Sequence, residues 1–174
     1  KVRCASDALP ERFETGTPQT ELLAGLAATV DYLAWLGEVT GHAGTRREKL
    51  RGAYRSFEAY ENRLMHRLIS GLEDLPGITI RGISDPAAFI HRVPTISFTH
   101  DRISTHVFAK ALAEREIYAW AGHNFALVPA RLLGLDGDEG VVRLGIAHYN
   151  TAEEIERTLT AIAEIMGAHT VPAC

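Results

Sequence analysis

The chain has 174 residues, of which 46% are hydrophobic and 23% charged, and a net charge of -4. That length can bury a core of its own, and the proportions are those of an ordinary globular protein. The mildly acidic balance argues against a nucleic-acid surface or a basic membrane patch, and no apolar run approaches the ~18 residues of a membrane span.

The two cysteines, Cys4 and Cys174, make neither a disulfide framework nor a metal-binding CxxC. With no visible signal peptide, they fit a reducing, cytoplasmic setting. The chain starts at Lys1, and its only methionines are Met65 and Met166. It is therefore expected to be a fragment or processed product of something longer.

Residues 1–16 read as irregular. A first helix is expected from Pro18, with Thr17 as N-cap and proline at the first helical position. Leu22, Leu26, Val30 and Leu33 form its apolar face at helical spacing, and Gly37 or Gly41 ends it. A polar link, Thr40 to Thr45, leads to a second helix from about Arg46 to Leu75. Leu50, Tyr54, Phe57, Glu61, Leu64, Leu68 and Leu72 fall on one side of it, and its length suits a bridge between domains. Pro76 and Gly77 stop it.

The texture then changes. Ile78–Arg81 and Pro94–Phe98 read as strands separated by a turn-rich loop. Ser104 caps a helix to about Arg115, packed through Val107, Phe108, Ala111 and Leu112. Ile117–Trp120 reads as a short strand, and Gly122 to Gly140 as a long loop with one helical turn at Ala130–Leu133. In the strand Val141–Ile146, alternation puts Val142, Leu144 and Ile146 on one face and Arg143 on the other. Thr151 and Glu154 form a capping box for a last helix packed through Ile155, Leu159, Ile162 and Met166. The order β, β, α, β, β, α predicts an α/β (α+β) sandwich with helices on one face of a mainly antiparallel sheet.

Several residues could carry chemistry. Gly16 and Thr17, ahead of the first helix, fit a phosphate site at a helix N-terminus, or Thr17 is a plain cap. Arg143, alone among apolar neighbours on its strand, suits bidentate binding of a carboxylate, or it is a structural sheet-face arginine. His123 and Asn124, in the loop WAGHNFA, could hydrogen-bond a substrate or cofactor, or be solvated. His100, His106 and His123 raise a remote metal-hydrolase reading, but HEXXH and zinc spacings are absent. GxGxxG, P-loop and GxSxG motifs are absent as well.

RFETGTP, the long helix, WAGHNFA and VVRLGIAHYNTAEEIERTLTAI, in that order, resemble the C-terminal part of class V aminotransferases, in particular their cysteine-desulfurase-like branch. The resemblance covers essentially the whole chain. It implies a pyridoxal-phosphate (PLP) enzyme of fold type I, a homodimer acting as a transferase or lyase on an amino acid. Residues 1–45 would be a remnant of the PLP-binding large domain, 46–77 the bridging helix and 78–174 the small C-terminal domain. Gly16 and Thr17 would reach the PLP phosphate of the partner subunit. Arg143 would clamp the substrate α-carboxylate. The sequence departs from true desulfurases where Trp120 replaces an arginine and Phe125 stands about where one desulfurase group has its nucleophilic cysteine. The Schiff-base lysine also has no counterpart among Lys1, Lys49 and Lys110, so the chain alone is expected to be inactive. The alternative is a non-catalytic binding or dimerisation module that keeps the fold.

Overall fold

A computed structural model describes residues 3–4, 6–14, 16–135 and 139–169. Lys1, Thr15 and Cys174 lie outside them. The chain divides into two compact units, Lys1–Ser56 and Phe57–Cys174, with the division falling inside a helix.

The first unit holds α1 (Thr20–Val39) and the first turns of α2 (Arg46–Glu73). The two helices approach so closely that a Cβ on Gly37 would lie 1.9 Å from the Lys49 carbonyl oxygen. Lys49 Nζ donates to Glu38 at 2.6 Å, and Arg46 pairs with Asp31 at 2.6 Å. Thr45 and Glu48 form a capping box for α2: Thr45 N–H donates to Glu48 at 2.7 Å and Glu48 N–H to the Thr45 hydroxyl at 3.4 Å.

Two expectations for α1 are corrected. It begins at Thr20, with Gln19 as N-cap and no side-chain capping bond, so Thr17 is not its cap. Gln19 keeps φ -81° and ψ 88°, outside the helical region, which delays the start past Pro18. Its apolar face is also largely uncovered: Leu22 and Leu26 are exposed, Val30 and Leu33 half-buried, and only Ala34 and Gly37 buried. The start of α2 covers only the C-terminal half of α1 within this unit. At 20 residues and a mean hydropathy of 1.3, α1 is also long and apolar enough to cross a membrane, contrary to the reading of the sequence.

The second unit is built on a three-stranded antiparallel sheet in the order β1 (Ile78–Ile80), β2 (Thr95–His100), β3 (Val142–Gly145). Its inner face presents Ile96, Phe98, Val142 and Leu144, all buried. Against them pack Leu64, Leu68 and Leu72 of α2, Phe108 and Leu112 of α3 (Thr105–Ala113), and Ile155, Ile162 and Met166 of α5 (Ala152–His169). Phe98 and Phe108 meet edge to face at 5.5 Å at the centre of this core. Tyr54, expected on the packed side of α2, is exposed.

Local rules set most boundaries here. Ser104 caps α3 by accepting from His106 N–H at 3.3 Å. The Thr151–Glu154 capping box forms, with Thr151 N–H donating to Glu154 at 2.9 Å and Glu154 N–H to the Thr151 hydroxyl at 3.2 Å. Backbone bonding at Thr151 and the Asn150 side chain hold the Glu154 carboxyl below its ordinary range. Tyr60 ties α2 to this corner by donating to the Asn150 carbonyl at 2.6 Å.

Three expectations change. The segment Ile117–Trp120 is not a strand: only Trp120 pairs, through a bridge to Arg143. The turn-rich loop contains a 3-10 helix, Pro86–His91, capped by Asp85, whose carboxylate accepts from Ala87 N–H at 2.9 Å. The helical turn in the long loop is α4 (Leu127–Leu132), starting ahead of the expected Ala130.

Candidate substrate-binding site

The antiparallel register decides which side chains share the outer face. Ser97 pairs with Arg143, and Ile80 with Phe98. Arg81 N–H donates to the Ser97 carbonyl at 2.8 Å, continuing the ladder one residue beyond β1. On the far side of β3, Trp120 and Arg143 exchange both backbone bonds, at 3.1 and 2.8 Å. Arg81, Ser97, Arg143 and Trp120 thus stand in one row across the sheet, opposite the core.

A cavity of about 250 Å³ lies over this row. Arg81, Ser97 and Arg143 form its floor, and His123, Asn124 and residues of α4 form its wall. The trio of Arg143, His123 and Asn124 expected from the sequence is therefore brought together in one place. Sequence reasoning misses Arg81. Three residues of strand show too little alternation to mark an outward side chain, and its pairing with Ser97 is non-local.

Two close contacts position the wall. Gly122 and Gly140 form a bridge, and Val141 N–H donates to the Gly122 carbonyl at 3.0 Å. A Cβ on Gly140 would fall 1.9 Å from the Gly122 carbonyl carbon. The return of the loop is held at α3 by Glu139, whose carboxylate accepts from Thr105 N–H at 2.5 Å and from the Ser104 hydroxyl at 2.9 Å. This acidic cap of α3, also absent from the sequence reading, fits the positive end of a helix.

The loop tip is strained. Asn124 and Phe125 adopt φ 51° and 61°, and Phe125 is 94% exposed. Such angles are uncommon for asparagine and outlying for phenylalanine. His123 Nδ1 accepts from Phe125 N–H at 3.1 Å, which places the proton of the neutral ring on Nε2. Asn124 Nδ2 donates to the Gly122 carbonyl at 2.8 Å, leaving Oδ1 buried with no hydrogen-bond partner among the described residues.

The electrostatics point to an anion. Arg143 is half-buried, and no carboxylate among the described residues pairs with it or lines the cavity. A planar guanidinium in a recess, with no acid beside it among the described residues, is suited to a carboxylate ligand.

Gly16 and Thr17 belong to the first unit. Both are exposed, in a bend ahead of α1. Among the described residues no three potential metal ligands gather. His100 is engaged in a turn, its Nδ1 accepting from Arg102 and Ile103 N–H at 3.0 and 3.1 Å.

The fold is that of the small domain of fold type I proteins, and the comparisons agree. The family model for class-V aminotransferases matches residues 3–158, and the chain belongs to that family. It is similar to an uncharacterized protein of Mycobacterium tuberculosis, with 33% identity covering 90% of this chain and 37% of that protein. It is also similar to a probable cysteine desulfurase of Mycobacterium leprae, with 29% identity over 88% of this chain and 31% of the relative. Among solved structures, a cysteine desulfurase from Thermococcus onnurineus superposes with a TM-score of 0.71 at 28% identity, covering 91% of this chain and 34% of that one. A cysteine desulfurase from Escherichia coli shares the fold, with a TM-score of 0.68 at 21% identity. The chain spans about a third of the length of these relatives.

Proposed function

We propose that this chain is the C-terminal part of a PLP-dependent class V enzyme acting on an amino acid, and that Arg143 holds the substrate α-carboxylate. The observation that carries the reading is the half-buried Arg143, without a carboxylate partner among the described residues, on the floor of a cavity walled by His123 and Asn124. The sheet sets Arg143 over the cavity before a ligand arrives, and its guanidinium can orient a carboxylate there. His123, whose Nε2–H is the ring donor left free by the bond at Nδ1, supplies a neutral donor in the cavity wall.

The described lysines do not fit a Schiff base to PLP in this cavity. Lys49 is paired with Glu38, and Lys110 is exposed on α3. PLP would be held by a lysine elsewhere in a longer protein, with Gly16 and Thr17 contributing to the phosphate site of a homodimer partner. Family membership over residues 3–158 includes α1, which supports reading its apolar face as a packing surface within such an enzyme. A loop persulfide is not part of the reading, because Phe125 occupies the loop and no cysteine lies between residues 5 and 173. Transamination, elimination or epimerisation fits better.

The test is to incubate the protein from the complete reading frame with PLP, record its visible spectrum, reduce with borohydride and map the modified peptide. A cofactor trapped on a lysine outside this chain supports the reading. The absence of both a band and a trapped lysine overturns it. In that protein Arg143→Ala should weaken amino-acid binding at least tenfold while leaving PLP affinity nearly unchanged, since a charge-assisted bidentate contact is lost only from the substrate.

A further inference from the structure

The cavity holds more positive charge than one α-carboxylate requires. Arg81 and Arg143 flank Ser97 on the same face, two strand spacings apart, or about 10 Å between Cα atoms. Both line the cavity, and both are half-buried. Arg81 spends one donor, Nε, on the Thr99 hydroxyl at 3.1 Å, which fixes the guanidinium and leaves its terminal nitrogens without a partner among the described residues. Two half-buried cations line one cavity with no acid among the described residues, and an anion at each would offset the cost of their partial burial.

We propose that Arg81 forms a second anion subsite, so that this site takes an amino acid whose side chain carries an anionic group of its own, a carboxylate or a group of like charge. The inference rests on reading Arg143 as the α-carboxylate clamp. The α-carboxylate lies on Arg143, the side-chain anion on Arg81, and the Ser97 position between them sits under the short carbon spacer. An amino acid with a neutral side chain leaves Arg81 unpaired and forgoes one charge-assisted contact, so selectivity of about tenfold or more is expected.

The experiment is a calorimetric titration of the full 174-residue chain with succinate, which has two carboxylates, and with propionate, which has one. Thermal unfolding of each variant verifies folding. Succinate should bind about tenfold tighter than propionate. Arg81→Gln should abolish that difference by weakening succinate far more than propionate, and Arg81→Lys, which keeps the charge and loses the fork, should retain part of it. Arg102→Gln, which removes an exposed charge elsewhere on the unit, should leave the difference intact. The proposal is overturned if succinate does not bind, if it binds no tighter than propionate, or if the preference survives in Arg81→Gln. Failure of the Arg143 reading looks different: Arg143→Gln would then leave propionate binding untouched, whatever Arg81 does.

Discussion

The crossing of Gly122 and Gly140 permits a graded test. Gly140→Ala introduces two costs. The residue has φ +50°, a left-handed conformation that costs an L side chain about 1 kcal/mol. Its new Cβ would also lie 1.9 Å from the Gly122 carbonyl carbon and 2.4 Å from His123 N, both backbone atoms that no rotamer change can clear. Overpacking against backbone adds about 1–3 kcal/mol, for a total near 3 kcal/mol. Gly134→Ala isolates the first cost, because Gly134 has φ +70° and nothing within 4 Å of the added atom. Scanning calorimetry should place Gly134→Ala a few degrees below wild type and Gly140→Ala lower by roughly 10 °C, from the usual scaling for domains of this size. If the loop lifts locally instead of destabilising the whole unit, the melting point falls less but propionate affinity drops, because the His123–Asn124 wall moves away from Arg143. A Gly140→Ala protein that melts with wild type and binds propionate normally would refute the reasoning.

Two further outcomes follow from the core and its margin. Phe98→Ala removes a fully buried ring and its edge-to-face partner contact, and urea unfolding should show a loss of about 3–5 kcal/mol; a loss under about 1 kcal/mol would mean that the core collapses around the gap. Glu61 has its carboxyl raised above the ordinary value by burial, partly offset by the charge and backbone N–H of His148. Ionising it therefore costs folded-state stability as pH rises through that raised value, and the cost is absent below the unfolded value. Glu61→Gln should melt above wild type near neutral pH and lose the advantage in acid; a gap that does not change with pH would discount burial as its cause.

Much of the second unit was legible because its rules are local. The alternation in VVRLGI set Arg143 apart from Val142 and Leu144, and the Thr151–Glu154 box is written within one helical turn. What could not be read was set by partners distant in sequence. Arg81 joins the site only because β1 pairs with β2 and β2 with β3, and Glu139 reaches α3 across an interval of 34 residues. The segment Ile117–Trp120 has strand composition, yet only its last residue meets a neighbour in the sheet. The start of α1 shifted for a different reason: threonine, then proline, is good capping grammar, but the backbone at Gln19 turns away from helix before the first hydrogen bond closes.

The row from Arg81 to Trp120 also makes the hydrogen-bond ladder an index of charge position. Side chains alternate faces at every step, so sliding β3 by one residue would send Arg143 into the apolar layer and lift Val142 and Leu144 onto the ligand side. Charge placement and folding are thus set by the same register and fail together. Insertions and deletions between Gly122 and Gly140 are tolerable for as long as that crossing closes, because it sets where the ladder resumes. The loop's length can drift while the row stays fixed, because the pairing of β1 with β2 and of β2 with β3 sets the spacing of the backbones that carry the two arginines.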